Sequence, residues 1–169
     1  MTASIVPILN LGYEKVRYYT VLLEGRAVSE FRDFQQRMSA EPEDEKELNE
    51  IRRYIRQIGM KWGAYPRHFK HERAAERLPP PYHYIETDNA DDYGLRLYCI
   101  RLSNEIVILL NGGRKTNRDP EQCPTCGVHF NNANKIAKKI NEAILDKMIW
   151  LDIDNKEIVI EDEDFEIAI

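Results

Sequence analysis

Long hydrophobic runs are missing from this sequence. No stretch approaches the roughly 18 apolar residues that a membrane-crossing helix needs. The opening residues, MTASIVPILN, carry no basic segment ahead of a long apolar one. The expectation is a cytoplasmic chain with no membrane span and no secretory leader. Cysteine is scarce: Cys99, Cys123 and Cys126 are the three in the chain. An odd number makes a poor disulfide framework and fits a reducing compartment. Glycine and proline number eight each in 169 residues, too few for a low-complexity chain. A P-loop, a dinucleotide fingerprint and a nucleophile elbow are all absent, so nucleotide-dependent and esterase-type chemistry have no support. No internal repeat is visible.

Hydrophobic residues make up 43% of the chain and charged residues 31%, enough apolar material for one folded domain. The net charge of −5 conceals strong segregation. Residues 1–40 carry +1, 41–50 carry −5, 51–85 carry +6, 86–95 carry −4, 96–147 carry +4 and 148–169 carry −7. Two basic blocks therefore remain open to an anionic partner in a chain that is acidic on average. The plainer reading of residues 51–85 is a solvated helix face.

Residues 16–24 are rich in β-branched and aromatic types and predict a buried strand. Val28, Phe31, Phe34 and Met38 follow at helical spacing, with Ser29 as N-cap. Leu48, Ile51, Ile55, Ile58 and Trp62 make a second helical stripe, with Arg52, Arg53 and Arg56 off it. Pro79, Pro80 and Pro81 forbid helix and predict an extended entry into a strand over 83–86. Residues 95–102 and 105–110 read as a hairpin turned at Ser103 and Asn104, ended by Gly112 and Gly113. Ala133, Ile136, Ala137, Ile140, Ile144 and Met148 predict a further helix, and 149–153 with 158–160 a second hairpin. The expected fold is α+β: a small antiparallel sheet packed by two N-terminal helices and a C-terminal helix. Residues 1–147 form the expected domain, and 148–169 an acidic β-hairpin and tail extension.

The chemistry concentrates in residues 94–118, which hold Arg96, Arg101, Arg114, Lys115 and Arg118. Strand alternation points Arg96 with Tyr98, Ile100 and Leu102, and Arg101 with Leu95, Leu97 and Cys99. An arginine on such an apolar strand needs an anionic partner, either an internal carboxylate or a phosphate shared with Arg114 and Lys115.

YYTVLLEGRAVSEF near the start, the GLRLYCIRLSNEIVILLNGG hairpin and the RKT after it resemble the RelE/HigB superfamily of toxins from bacterial type II toxin–antitoxin systems, in its phage-derived HigB-like branch. The resemblance implies a RelE-like fold and a metal-independent endoribonuclease that cleaves mRNA on the ribosome by 2′-OH attack. In that chemistry cations stabilise charge on phosphorus and an acid–base pair moves protons. It implies Arg96 and Lys115 as catalytic cations, Arg114, Arg118 and Arg101 as RNA-binding residues, and Tyr98 and His129 as the nearby proton-transfer candidates. The implied partners are a cognate antitoxin of helix-turn-helix type and mRNA on the ribosome. No cofactor or metal enters this chemistry, and oligomeric state is left open. The alternative is a non-catalytic protein-binding module of the RelE/ParE kind.

Cys123 and Cys126 in CxxC spacing, with His129 three residues on, make half of a zinc site whose second half is missing. A redox pair belongs at the start of a helix after a buried strand, whereas the pattern puts these residues in a polar loop. An inert turn is the plain reading. Asp88, Asp91 and Asp92 read as turn residues, and the carboxylates of 161–166 as a solvated tail.

Overall fold

The computed structural model describes residues 1–80 and 93–169. The strand expected over 83–86 and the turn carboxylates Asp88, Asp91 and Asp92 lie outside the described residues. Strands β1 (Thr2–Gly12) and β2 (Arg17–Leu23) come first, followed by helices α1 (Glu30–Met38) and α2 (Pro42–Gln57). After a π-helical turn over Ile58–Trp62 come β3 (Lys70–Glu72), β4 (Ala75–Leu78), β5 (Gly94–Arg101) and β6 (Ile106–Lys115). Helix α3 (Gly127–Leu145), the hairpin β7 (Ile149–Asp152) and β8 (Glu157–Ile160), and a short β9 (Ile167–Ala168) complete the chain.

The small antiparallel sheet that the sequence predicts does not form. Among the described residues the sheet has seven strands in the order β3-β4-β5-β6-β2-β1-β9, and it is mixed, because β2 pairs with β6 in parallel. The excess has identifiable sources. Residues 2–12 pair antiparallel along the outer edge of β2, residues 70–78 add β3 and β4, and Ile167 and Ala168 pair with β1. The tail thus reaches the main sheet at the end remote from β4 and β5, while β7 and β8 form a separate two-stranded sheet.

Helices cover both faces. On one, Phe31, Phe34 and Met38 of α1 and Leu48, Ile51 and Ile55 of α2 meet Tyr18, Leu97, Cys99, Val107 and Leu109. On the other, Phe130, Ala133, Ile136 and Ile140 of α3 meet Tyr19, Val21, Tyr98, Ile100, Ile108 and Leu110. Full burial of each such aliphatic side chain is worth about 1.5–3 kcal/mol relative to exposure. Ser29 caps α1, its hydroxyl accepting from the Arg32 N–H at 3.3 Å. Pro42 opens α2, and Glu43, Asp44 and Glu45 occupy its first turn, where carboxylates favour the positive end of the helix dipole.

Gly112 and Gly113 do not end β6; they lie inside it, opposite Leu97 and Arg96. A side chain at Gly112 would collide with the backbone carbonyl of Arg96, and one at Gly113 with the carbonyl of Thr125. The pairing register slips by one residue between Leu97 and Cys99, so a bulge sits beside this close approach. Gly112→Ala is expected to force β5 and β6 apart and to cost about 3 kcal/mol or more of stability. Thermal unfolding of the purified variant checks this, and an unchanged melting temperature would refute the packing argument.

Candidate functional site

The strand alternation separates the cations of β5 and β6 between the two faces. Arg96 and Lys115 lie on the α3 face, Arg96 opposite Gly113 and Lys115 opposite Gly94. Arg77 of β4, opposite Tyr98, joins them there. Arg77 and Arg96 are fully buried, and Lys115 is 5% exposed. Arg77 Nε donates to Glu72 Oε1 at 3.2 Å and its Nη1 to the Pro79 carbonyl at 2.5 Å. Arg96 Nη1 donates to the Leu95 carbonyl at 3.1 Å. Burial, then the charge of Arg96, pushes the Lys115 ammonium below its ordinary range, with Lys70 and Arg77 adding and Glu72 opposing. The structure therefore brings the two residues expected to be catalytic into one electrostatic cluster.

It does not bring the other three to it. Arg114 faces α2, where it bonds Asp44 Oδ1 at 2.8 Å and the Glu47 carboxylate. Burial works against its charge, but these two carboxylates more than compensate and hold the guanidinium above its ordinary value. Arg101 Nη1 donates to Asn104 Oδ1 at 3.1 Å and to the Ala64 carbonyl at 3.4 Å. Arg118 lies in the exposed loop after β6.

Neither proton-transfer candidate is tuned for work near neutral pH. Burial raises the Tyr98 hydroxyl far above its usual value. His129 is drawn down to about 4 by burial, then by the charge of Arg37, partly offset by Asp33. Those neighbours belong to α1, so the charges that act on His129 are those of Asp33 and Arg37 rather than of the Arg96–Lys115 cluster. Among the described residues no three His, Cys, Asp or Glu side chains gather to hold a metal, so Cys123, Cys126 and His129 do not form a joint site.

Three features lie outside the site residues that the sequence singles out. Arg77 joins the buried cluster. Asn111 ties β6 to α1, accepting from Arg37 Nη2 at 2.5 Å and donating to Glu30 Oε2 at 3.0 Å and Asp33 Oδ2 at 2.9 Å. The third is a surface on α2. Its C-terminal half and the following turn expose Arg52, Arg53, Arg56, Lys61 and Arg67, interleaved with Met60, Trp62 and Tyr65. Trp62 is 39% and Tyr65 42% exposed. The Trp62 ring stacks on His68 at 4.9 Å with an interplanar angle of 16°, and Tyr54 meets its edge at 6.0 Å. The Arg67 guanidinium lies over the Tyr65 ring at 5.2 Å. Two clefts flank the arginine ridge. One, of about 280 Å³, is lined by Leu11, Tyr13, Gln35, Arg52 and Arg56 among others. The other, of about 270 Å³, is lined by Arg53, Tyr54, Gln57 and Trp62. The +6 charge of residues 51–85 is the signal that pointed here.

Comparison of the chain with protein-family models, with curated proteins and with solved structures finds no match. No helix among the described residues is long and apolar enough to cross a membrane.

The depressed His129 has a consequence for stability. The folded state resists its protonation while the unfolded chain accepts a proton near pH 6.5, so stability falls as pH drops from about 6.5 toward 4. The loss at pH 4.5 relative to pH 7 is expected to be about 2–3 kcal/mol from this group. His129→Asn should remove that part of the pH dependence, read from urea unfolding at the two pH values. An identical pH dependence in both proteins would refute it.

Proposed function

We propose that this chain is a cytoplasmic RNA-binding protein that holds single-stranded RNA on the C-terminal half of α2 and the turn after it. The observation that carries this reading is the coincidence of five exposed cations with two exposed aromatic rings and two flanking clefts on one surface. Arginine and lysine neutralise phosphates, and aromatic faces stack bases without regard to sequence. Among the acids of α2, Asp44 and Glu47 lie near the other end of the helix, bound to Arg114, and Glu50, paired with Arg53 at 2.6 Å, offsets one of the five cations.

Arg52→Glu, Arg53→Glu and Arg56→Glu together are expected to weaken binding of a mixed-sequence single-stranded oligoribonucleotide by more than about tenfold. The slope of log K against log salt should fall by about 2, since each phosphate contact contributes about 0.7. Fluorescence anisotropy over a salt series measures both. All three side chains are exposed, so the fold should survive, which circular dichroism verifies. Unchanged affinity and slope would overturn the reading.

A catalytic reading, the toxin-like endoribonuclease held in check by an antitoxin, is favoured by one observation. Arg96 and Lys115 share one face and feel each other's charge, as stabilisers of a phosphorane would. Under it, controlled expression in a bacterial host arrests growth with loss of mRNA, and Arg96→Ala with Lys115→Ala abolishes the arrest. Growth unaffected by the native chain would reject this reading and leave RNA binding alone.

A further inference from the structure

The CxxC segment does not sit in a polar loop remote from secondary structure. It forms the entry to α3, the 19-residue helix that packs on the sheet, and follows the buried strand β6. The Gly127 N–H donates to the Cys123 carbonyl at 2.9 Å and the Phe130 N–H to the Cys126 carbonyl at 2.9 Å. The chain from Cys123 to Gly127 therefore closes one turn, which brings the two thiols against each other at the positive end of the helix. Gly113 permits this placement, because the Thr125 carbonyl occupies the space a side chain there would need.

Both cysteines are free thiols, yet their surroundings differ. Cys123 Sγ receives the Thr116 N–H at 3.4 Å and has the hydroxyls of Thr125 at 3.3 Å and Thr116 at 3.7 Å beside it. Burial works against charge on this sulfur. Hydrogen bonds from Thr125, Cys126 and the Thr116 backbone outweigh that and bring the thiol down to about 6. Cys126 is fully buried, and burial followed by its neighbour Cys123 pushes its thiol up to about 12. The buried Tyr98 hydroxyl lies against the Cys126 thiol. Cys123 is 3% exposed, and the two residues that follow it, Pro124 and Thr125, are exposed. Cys99 is on the opposite face, beneath α1 and α2.

We propose that Cys123 and Cys126 form a thiol–disulfide exchange site that reacts with a low-molecular-weight disulfide, Cys123 attacking and Cys126 resolving. The Cys123 thiolate attacks one sulfur of the small disulfide, forming a mixed disulfide and expelling one small thiolate, which takes a proton from solvent. Cys126 then loses its proton to solvent and attacks Cys123 Sγ, expelling the second small thiolate, which is protonated in turn. Two protein thiols are oxidised to one intrachain disulfide and one small disulfide is reduced to two thiols. The site is independent of the RNA surface on α2.

The test equilibrates the full chain in glutathione disulfide and glutathione at several ratios and maps the products by mass spectrometry. A Cys123–Cys126 disulfide with Cys99 still reduced is expected at the oxidising end. Cys126→Ser should trap one glutathione on Cys123, whereas Cys123→Ser should take up none. Alkylation of the unaltered native protein by iodoacetamide at pH 7 gives a readout that needs no variant. Cys123 should react at least about tenfold faster than Cys126, a difference lost in urea. A chain that stays fully reduced in the oxidising buffers, or that alkylates equally at the two cysteines while folded, would overturn the assignment.

Discussion

Near the end of β6 three main chains come into direct contact, and the placement of side chains on both faces of the sheet follows from it. The carbonyl of Arg96 fills the space beside Gly112, and the carbonyl of Thr125 fills the space beside Gly113. From the other face Arg37 Nη2 donates to the Gly112 carbonyl at 2.7 Å. A strand with side chains at both positions would hold β5 and the entry to α3 at ordinary distance. With glycine at both, the CxxC turn settles onto the sheet and Arg96 is drawn beneath it. Asn111, one residue earlier, fixes α1 to the same point through Glu30 and Asp33. The buried cluster on one face and the α1 contact on the other are thus set by Asn111, Gly112 and Gly113 of β6 with their neighbours.

The same arrangement decides what happens to positive charge. A buried guanidinium is costly unless carboxylates or carbonyls receive it. Arg114 meets that requirement with Asp44 and Glu47 of α2, and Arg77 with Glu72 and the Pro79 carbonyl. In spending these carboxylates on Arg114, α2 leaves its C-terminal half strongly cationic on the surface. The charge blocks along the sequence thereby become opposite ends of one helix, the acidic end holding Arg114 through Asp44 and Glu47 and the basic end facing solvent.

Much of the local structure was legible in the residues. Phe31, Phe34 and Met38 behind the Ser29 cap specify α1, and alternating apolar residues specify the β5–β6 hairpin, including the opposite facing of Arg96 and Arg101. The larger architecture was not. Residues 2–12 lie at a sheet edge, half-exposed on both faces, so no clean alternation marks β1. The acids of 41–47 carry no apolar stripe, although Glu43, Asp44 and Glu45 occupy the first turn of α2. Val128 and His129 obscured the start of α3, so the cysteine pair looked like part of a loop. The fate of Arg114 depended on Asp44 and Glu47, 70 and 67 residues away, which no local pattern reports. The parallel join of β2 to β6, which makes the sheet mixed, is likewise a long-range pairing.

That parallel join also bears on how the chain acquires its structure during synthesis. Tyr18 is paired with Val107, about 90 residues later, so β2 waits for its neighbour while α1, α2 and β3 to β5 emerge. At about 5–20 residues per second the wait lasts about 5–20 s, far longer than a hairpin or helix needs to form. Through that interval β1 is the strand available to β2, and Arg17, Tyr18 and Tyr19 lack the partners they later pair with. The pairing of β1 with β2 needs only the first 23 residues, whereas closing the other flank of β2 needs β6.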